Sequence, residues 1–207
     1  METQERIVEK AHELFMRYGI RSVSMDEIAA HLGMSKKTIY QFYSDKDALV
    51  ESVINIVIGE NKNVCFKQAS VCKDAIHEIF LGMDHVAEML ANMNPLLMND
   101  LEKYHHSTFK KLTEHKNKFF ANLVKENLER GISEGFYREE IDTEILSQFR
   151  VATTFLIFDS NTFPHGKHAP LQILEEITDN FLYGITNAKG QKLTQKYKQQ
   201  RLKTESV

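Results

Sequence analysis

The stretch that decides the fold is residues 24–49, SMDEIAAHLGMSKKTIYQFYSDKDAL. Ser24 and Glu27 have the spacing of a capping box, in which each side chain bonds the backbone N–H of the other residue, so a helix is predicted to begin here. Gly33 stands where a left-handed residue would end this helix. Ser35 is a suitable N-cap for another short helix. The stretch therefore predicts two short helices separated by a tight glycine turn.

A longer helix precedes the two short ones, and another follows them. Residues 3–18 carry apolar side chains at helical spacing and end at Gly19, and residues 44–47 supply a start signal for the following helix. The second short helix is predicted over residues 36–43. A long helix followed by two short helices joined at a glycine forms a helix-turn-helix, whose second short helix fits the major groove of DNA. We expect the first turn of this recognition helix to reach base edges.

The remainder of the chain also predicts helices. Only three prolines occur, none of them in the first 94 residues, so long helices run there without interruption. No alternation of period two persists, which argues against strands. Helices are predicted over residues 75–94, 107–130, 143–159 and 171–188, with a short one after Pro95. The predicted fold class is all-α, with a three-helix helix-turn-helix domain followed by a larger helical bundle.

The composition is that of an ordinary globular protein. Of 207 residues, 42% are hydrophobic and 27% are charged, and the formal net charge is -3 at pH 7. Because the chain has no overall positive charge, any contact with DNA must come from a local cluster. The longest mostly apolar run, residues 151–158, is too short to span a bilayer, and the N-terminus lacks the pattern of a secretory signal. We therefore expect a cytoplasmic protein with no membrane partner.

The C-terminal segment differs from the rest in charge. Residues 189–207 contain six lysine or arginine residues and one glutamate. A charge run of this kind is typical of a solvated surface. We expect a basic extension over residues 191–207 that is solvated and frayed. The alternative is that its lysines contact DNA or an acidic partner surface.

Residues 25–49 resemble the DNA-binding signature of the tetracycline-repressor family of bacterial regulators, the TetR (AcrR-like) family. The resemblance is strong over about residues 5–60 and weak beyond. Its elements are Ile28-Ala29, Gly33, Ser35, Thr38-Ile39-Tyr40, and Lys46 with Leu49. Membership implies a homodimer that binds a palindromic operator in double-stranded DNA. It also implies that the larger bundle is a ligand-binding and dimerisation domain for a small apolar or amphipathic effector.

The resemblance assigns DNA contacts to nine residues. They are Ser24, Met25, Ser35, Lys36, Lys37, Thr38, Tyr40, Gln41 and Lys46. Lys36 and Lys37 oppose the dipole of their helix at its first turn, which favours a binding role, and the alternative is that they form a solvated face. Gln41 and Phe42 depart from the family, because many members have an aromatic residue and a histidine there. Phe42 cannot donate to a phosphate, so we expect either fewer backbone contacts or a hydrogen bond from Gln41 instead.

The same resemblance implies an effector pocket and a dimer interface in the bundle. Flexible or aromatic side chains suit the pocket, and the candidates are Phe80, Met83, Met89, Met93, Met98, Phe120 and Phe155. The alternative is that these are core residues at helical spacing. Interface candidates on the last two helices are Phe149, Leu156, Ile173, Ile177, Phe181 and Ile185. A palindrome read by two recognition helices about 34 to 36 Å apart also requires a dimer.

The predicted domains are residues 1–48 for DNA binding, residues 49–190 for effector binding and dimerisation, and the extension 191–207. The predicted function is a sequence-specific transcriptional regulator, a repressor that a small-molecule effector releases. One alternative is a helix-turn-helix regulator controlled by a protein partner, without a small-molecule pocket. Another is an enzyme with an added helix-turn-helix, but the sequence offers neither a nucleophile elbow nor a phosphate loop, so we expect no enzyme activity.

Neither a cofactor nor a metal is expected. Adjacent histidines such as His105 and His106 point about 100° apart on a helix, and neither this pair nor His165 with His168 is completed by further ligands. Cys65 and Cys72 would lie roughly 10 Å apart on one helix, too far to form a disulfide, so both are predicted to be reduced thiols.

Overall fold

The computed structural model describes residues 2–159, 161–164 and 166–205, and its side chains as far as residue 202. The α-helices within these residues are α1 (Thr3–Tyr18), α2 (Met25–Leu32), α3 (Lys36–Tyr40), α4 (Lys46–Val71), α5 (Ala75–Asn92), α6 (Leu97–Tyr104), α7 (His106–His115), α8 (Ala121–Ser133), α9 (Thr143–Phe155), α10 (Pro170–Ile185) and α11 (Ala188–Glu205). A π-helical turn, Lys116–Phe120, separates α7 from α8, and a 3-10 turn, Leu156–Phe158, follows α9. The all-α prediction is confirmed.

The chain divides into two compact units. The N-terminal unit comprises residues 2–63 and 89–114, and the C-terminal unit comprises residues 64–88 and 115–205. Residues 89–114 were predicted to belong to the bundle, but they lie in the same unit as the helix-turn-helix.

The N-terminal unit is built on an apolar core that spans the helix-turn-helix and α6. Ile7 of α1, Ile28 of α2 and Ile39 of α3 are fully buried in it, and Leu97 and Leu101 of α6 belong to the same cluster. Their spacing along each helix places them on one face, which is the pattern that buries an amphipathic helix. The core therefore orients the two short helices from behind and leaves their polar faces in solvent.

The local signals for the short helices operate as predicted. Ser24 Oγ accepts the Glu27 N–H at 3.2 Å, and Glu27 Oε2 accepts the Ser24 N–H at 2.7 Å. Gly33 has φ +64°, in the left-handed region that favours glycine. The recognition helix α3 ends at Tyr40, earlier than the predicted Tyr43. The physical reason is a tight turn, in which the Gln41 N–H donates to the Thr38 carbonyl and the Phe42 N–H to the Ile39 carbonyl, and the Tyr43 side chain enters the core.

The C-terminal unit is a helical bundle in which α8 packs on α9, α9 on α10, and α10 on α11. Tyr137 is fully buried at its centre and lies directly against Gly131 of α8. The Tyr137 hydroxyl donates to Asn127 Oδ1 at 3.1 Å, and Asn127 Nδ2 donates to the Ala75 carbonyl at 2.9 Å. Each of these buried polar groups thus has a hydrogen-bond partner.

The basic C-terminal segment is a packed helix, so the prediction of a frayed extension is wrong for residues 191–202. Thr194 and Tyr197 of α11 are buried, and the Tyr197 hydroxyl donates to Asp74 Oδ2 at 2.6 Å. Lys198 pairs with Asp179, and Arg201 pairs with Asp84. Lys198 and Arg201 thus lie one helical turn apart, beside carboxylates of α10 and α5. The composition of the segment does not predict these ion pairs.

Candidate nucleic-acid interface

The candidate interface is the exposed face of α3, a helix that is fixed by the Ser35 N-cap and by the buried side chain of Ile39. Ser35 Oγ accepts the Thr38 N–H at 3.1 Å and also lies 2.9 Å from Thr38 Oγ1. Ile39 is fully buried and ties the opposite side of the helix to the core. Lys36 and Lys37 consequently lie in the first turn with exposed side chains.

The two lysines of this turn differ in their surroundings. Lys36 Nζ donates to Asp26 Oδ2 at 2.7 Å and lies 6.0 Å from the centre of the Tyr40 ring. The hydrogen bond with Asp26 raises the pKa of Lys36. Lys37 forms no ion pair with any residue that the structure describes. Lys37 therefore presents the uncompensated positive charge of the recognition helix.

The remaining candidates of α3 and its end are also accessible. Tyr40 and Phe42 are 43% and 42% exposed, and Gln41 is exposed one helical turn beyond Lys37. Thr38 is partly buried because of its contact with the Ser35 cap. Lys37 and Gln41 thus share one exposed helix face, whereas Lys36 shares another with Tyr40.

Two predicted DNA contacts are positioned differently from the expectation. Lys46 is half-buried, and its Nζ donates to the Ile20 carbonyl at 2.5 Å, which leaves the other ammonium protons for a further acceptor. Burial lowers the pKa of Lys46, and the Asp100 carboxylate partly offsets this effect. The Met25 side chain is buried in the core and does not reach solvent, so the contact predicted at this position is left to the backbone at the start of α2. Ser24 is exposed.

Sequence reasoning missed a set of residues that hold the turn between α1 and α2. The buried Asp100 carboxylate of α6 accepts the Arg21 N–H at 2.9 Å. The Asn94 N–H donates to the Met16 carbonyl at 2.7 Å, and Asn94 Nδ2 donates to the Arg17 carbonyl at 3.2 Å. The Asn94-Pro95 pair signals a turn. No local pattern, however, indicates that Asp100 accepts from the backbone of Arg21, 79 positions earlier in the chain.

The predicted effector residues are divided between the two units. Met89, Met93 and Met98 belong to the N-terminal unit, where Met93 and Met98 pack against its apolar core. Phe80 and Met83 are buried in the C-terminal unit, and the Phe80 ring lies 5.9 Å from that of Tyr197. For Met93 and Met98, the structure therefore favours the alternative of core residues.

Phe120 and Phe155 lie together in an aromatic cluster, which we define as Phe66, His115, Phe119, Phe120, Phe155 and Phe158. The Phe120 and Phe155 ring centres are 6.3 Å apart, and Phe155 lies 5.8 Å from Phe158. Lys116 Nζ lies 4.9 Å from the Phe155 ring centre. The π-helical turn supplies Lys116, Phe119 and Phe120, and such turns are frequent at functional sites.

The predicted interface residues also separate into two groups. Ile173, Phe181 and Ile185 are buried inside the chain, so the expectation that they face a second subunit is corrected. Leu156 and Ile177 are partly buried. Phe149 is 52% exposed and Ile145, one turn earlier on α9, is 64% exposed. The sequence analysis overlooked Ile145, although its spacing from Phe149 is a signal for a shared face.

The described residues contain no group of three His, Cys, Asp or Glu side chains placed to hold a metal ion. His165, half of one histidine pair considered above, lies outside them. Cys65 and Cys72 are both free thiols, and burial raises the pKa of Cys65 to about 11. Within the same residues, no helix combines the length and the apolar character that a membrane span requires.

Comparison with known proteins agrees with this geometry. Residues 7–53 match the model of the family described as bacterial regulatory proteins, tetR family. A curated relative, the uncharacterized HTH-type transcriptional regulator YvaF of Bacillus subtilis, is 33% identical over 109 residues. The aligned segment covers 51% of this chain and 55% of the relative, so the chain spans about half the length of that protein. Curated relatives from Bacillus subtilis and Staphylococcus aureus are described as HTH-type transcriptional regulators.

Solved structures share the fold over most of the chain. A TetR-family transcriptional regulator from Agrobacterium tumefaciens has a TM-score of 0.71 at 18% identity, covering 89% of this chain and 97% of its own. A putative transcriptional regulator from Saccharomonospora viridis, solved in complex with choline, has a TM-score of 0.71 at 17% identity with the same coverage of both chains. At these identities the likeness establishes the arrangement of helices.

Proposed function

We propose that this chain, whose residues 7–53 match the model of the TetR family of bacterial regulators, is a homodimeric repressor of that family that binds a palindromic operator until a small-molecule effector releases it. The observation that carries the DNA-binding proposal is the exposed first turn of α3. There Lys37 has no counter-charge among the described residues, while Ile39 and the Ser35 cap fix the helix behind it.

The two exposed faces of α3 suit different parts of a DNA duplex. Lys37 and Gln41 carry donors long enough to reach base edges in the major groove. Lys36 and Tyr40 lie on the face beside Asp26, where contacts to the sugar-phosphate backbone position the protein without reading sequence. Lys46 adds a charge at the start of α4 and is proposed to hold one phosphate. Because phosphate contacts release counterions, their number is measurable as a salt dependence.

The test of DNA binding is a mobility-shift titration at several salt concentrations, with duplexes from the protein's own promoter. We expect Lys46→Ala to weaken binding to all sequences and to lower the salt slope by about one unit per subunit. Lys37→Ala is expected to weaken binding and also to change the sequence preference. Lys110→Ala, which removes an exposed lysine of α7, is the matched control. Unchanged affinity and slope in both K37A and K46A would contradict the assignment.

The proposed release mechanism is a shift between two conformations of the dimer. The effector would bind best to the conformation in which the two recognition helices are wrongly spaced for successive major grooves. A 100-fold loss of operator affinity requires differential effector binding of about 2.7 kcal/mol, which lies within the usual range of coupling energies. The aromatic cluster supports an effector site in the C-terminal unit. The Saccharomonospora viridis neighbour was itself solved with a small molecule, choline.

Effector control is tested by thermal-shift screening of a compound library, followed by operator titration with each stabilising compound. We expect at least one compound to raise the melting temperature and to lower operator affinity, because a ligand that binds the folded state stabilises it. Phe155→Ala should weaken binding of that compound, whereas Phe42→Ala, which removes an exposed phenylalanine after α3, should leave it unchanged. A library without any stabilising compound would favour control by a protein partner instead.

A further inference from the structure

The C-terminal unit contains a buried arginine that the proposed function has not used. Arg150 lies in α9 and is only 8% exposed. Its Nη2 donates to Thr178 Oγ1 on α10 at 2.9 Å, and its guanidinium carbon lies 5.1 Å from the centre of the Phe181 ring. Arg150 therefore faces the interior between α9 and α10 rather than the solvent.

The positive charge of Arg150 has no counter-charge among the described residues. Its Nη1 is buried without a hydrogen-bond acceptor, and no carboxylate of the described chain forms an ion pair with it. Burial lowers the pKa of Arg150 to about 10, so the group is still protonated at neutral pH. The titratable group that acts on it is the Tyr137 phenol, and burial raises the pKa of Tyr137 well above its ordinary value, so this phenol is neutral.

Arg130 of α8, a partly buried arginine of the same unit, has different surroundings. Arg130 Nη2 lies 3.2 Å from Glu78 Oε2, and its Nε lies 3.3 Å from Glu134 Oε1. Arg130 is also more exposed than Arg150, with a third of its side chain in contact with solvent. Among the residues that the structure describes, two carboxylates thus lie beside the partly exposed Arg130 and none lies beside the buried Arg150. An unpaired charge is strongly unfavourable in a protein interior. An anion bound beside Arg150 would compensate its charge.

We propose that Arg150 is the anion-binding residue of the effector site and that the effector is a monoanionic carboxylic acid with an apolar body. This inference rests on the proposed effector control. A carboxylate is the natural partner of a guanidinium, and its oxygen would satisfy Nη1 while Thr178 continues to accept from Nη2. One guanidinium neutralises one charge, which favours a carboxylate over a dianionic phosphate. The apolar body is required because Leu174, Phe181 and Leu182 surround Thr178 on the same buried face of α10.

The experiment compares acids with neutral analogues of the same shape. Sodium hexanoate, octanoate and decanoate are each titrated beside their primary amides, with melting temperature and calorimetric affinity as readouts, on full-length protein whose intact native mass shows no bound compound. We expect at least one carboxylate to bind the wild type roughly tenfold or more tightly than its amide. Arg150→Met should abolish this preference, and Arg138→Met, at an exposed arginine, should retain it.

A second readout does not depend on the ligand. Since Arg150→Met removes an uncompensated charge and keeps an apolar side chain of similar length, the ligand-free variant should melt at the same temperature as the wild type or higher. If Arg150→Met does not fold, Arg150→Lys takes its place, because it keeps the charge and should retain part of the preference for acids over amides.

Three results would overturn the inference: equal binding of acids and amides, an undiminished preference in Arg150→Met, or no binding by any acid of the series. In each case a neutral compound that binds and lowers operator affinity would leave effector control standing. If no compound of either kind changed operator affinity, the proposed effector control would fail together with the inference.

Discussion

Asp26 is a negative charge placed at the edge of the proposed DNA-binding surface. Its carboxylate pairs with Lys36 and is itself largely exposed. We expect Asp26→Asn to raise operator affinity several-fold and to steepen the salt slope by about one unit per subunit, because Lys36 becomes available for a phosphate and one repulsive charge disappears. Mobility-shift titration measures both quantities. Glu139→Gln, at an exposed position of the C-terminal unit, is the control, and a loss of affinity in D26N would refute the prediction.

Gly131 is required by the position of Tyr137. A Cβ atom on Gly131 would lie 2.1 Å from two carbons of the fully buried Tyr137 ring. We expect Gly131→Ala to lower the free energy of unfolding by about 1–3 kcal/mol, as overpacking of a core does. Gly82→Ala is the matched control in α5, since a Cβ there meets no atom within 4 Å.

Removing a glycine from an open helical position should stabilise the protein by about 0.5–1 kcal/mol. Urea unfolding of the two variants therefore gives shifts of opposite sign. Equal shifts would show that the Tyr137 contact does not constrain this position.

At the scale of elements, α3 depends on its cap because it is only five residues long. A helix of this length has few internal hydrogen bonds, because the first backbone N–H groups of a helix have no partner within it. The Ser35 hydroxyl accepts from one of these groups, the Thr38 N–H. We expect Ser35→Ala to lower the free energy of unfolding by about 0.5–2 kcal/mol and to weaken operator binding. Ser22→Ala changes an exposed serine outside any helix and is the control. Urea unfolding and mobility-shift titration of both variants measure these two effects. Equal free energies of unfolding and equal operator affinities in S35A and S22A would argue against a stabilising role of the cap.

The last helix, α11, is expected to contribute to stability rather than to act as a solvated extension. Tyr197 is 9% exposed, stacks 5.2 Å from the His77 ring centre and donates to Asp74. We expect Tyr197→Ala to lower the free energy of unfolding by about 3 kcal/mol, as for large-to-small substitutions in a core. Lys196→Ala, at the exposed neighbouring position, should change it by less than about 0.5 kcal/mol. Similar unfolding midpoints for the two variants would favour a frayed segment after all.

For the whole molecule, the proposed dimer makes the exposed face of α9 the surface to test. Ile145 and Phe149 are large apolar side chains in solvent, and the burial of such groups is what a stable interface supplies. We expect Phe149→Glu to convert the dimer to a monomer in analytical ultracentrifugation.

Phe149→Glu should also reduce operator affinity steeply, because one recognition helix would no longer be joined to a second. Val71→Glu places the same charge on another exposed apolar residue, at the end of α4, and should remain dimeric. A dimeric F149E protein would place the interface elsewhere.

The helix-turn-helix was largely predictable because its signals are local. The Ser24–Glu27 box, the left-handed Gly33 and the Ser35 cap each act within three or four residues, so a short stretch of sequence contains both partners of every interaction. Periodicity likewise predicted the buried face of α1. The end of α3 was misplaced because the turn after it depends on burying Tyr43, which is a tertiary contact.

By itself, the sequence determined the all-helical class, the helix-turn-helix and the cationic turn of α3, since these follow from backbone capping and helical spacing. Only the tertiary structure decided which side chains are inside. Asp100 meets Arg21 across 79 positions, and Tyr197 meets Asp74 across 123. Arg150 is enclosed between two helices, and no residue in the described part of the chain supplies its counter-charge. Burial and charge pairing of this kind depend on which distant segments pack together. A pattern of neighbouring residues does not predict these long-range contacts.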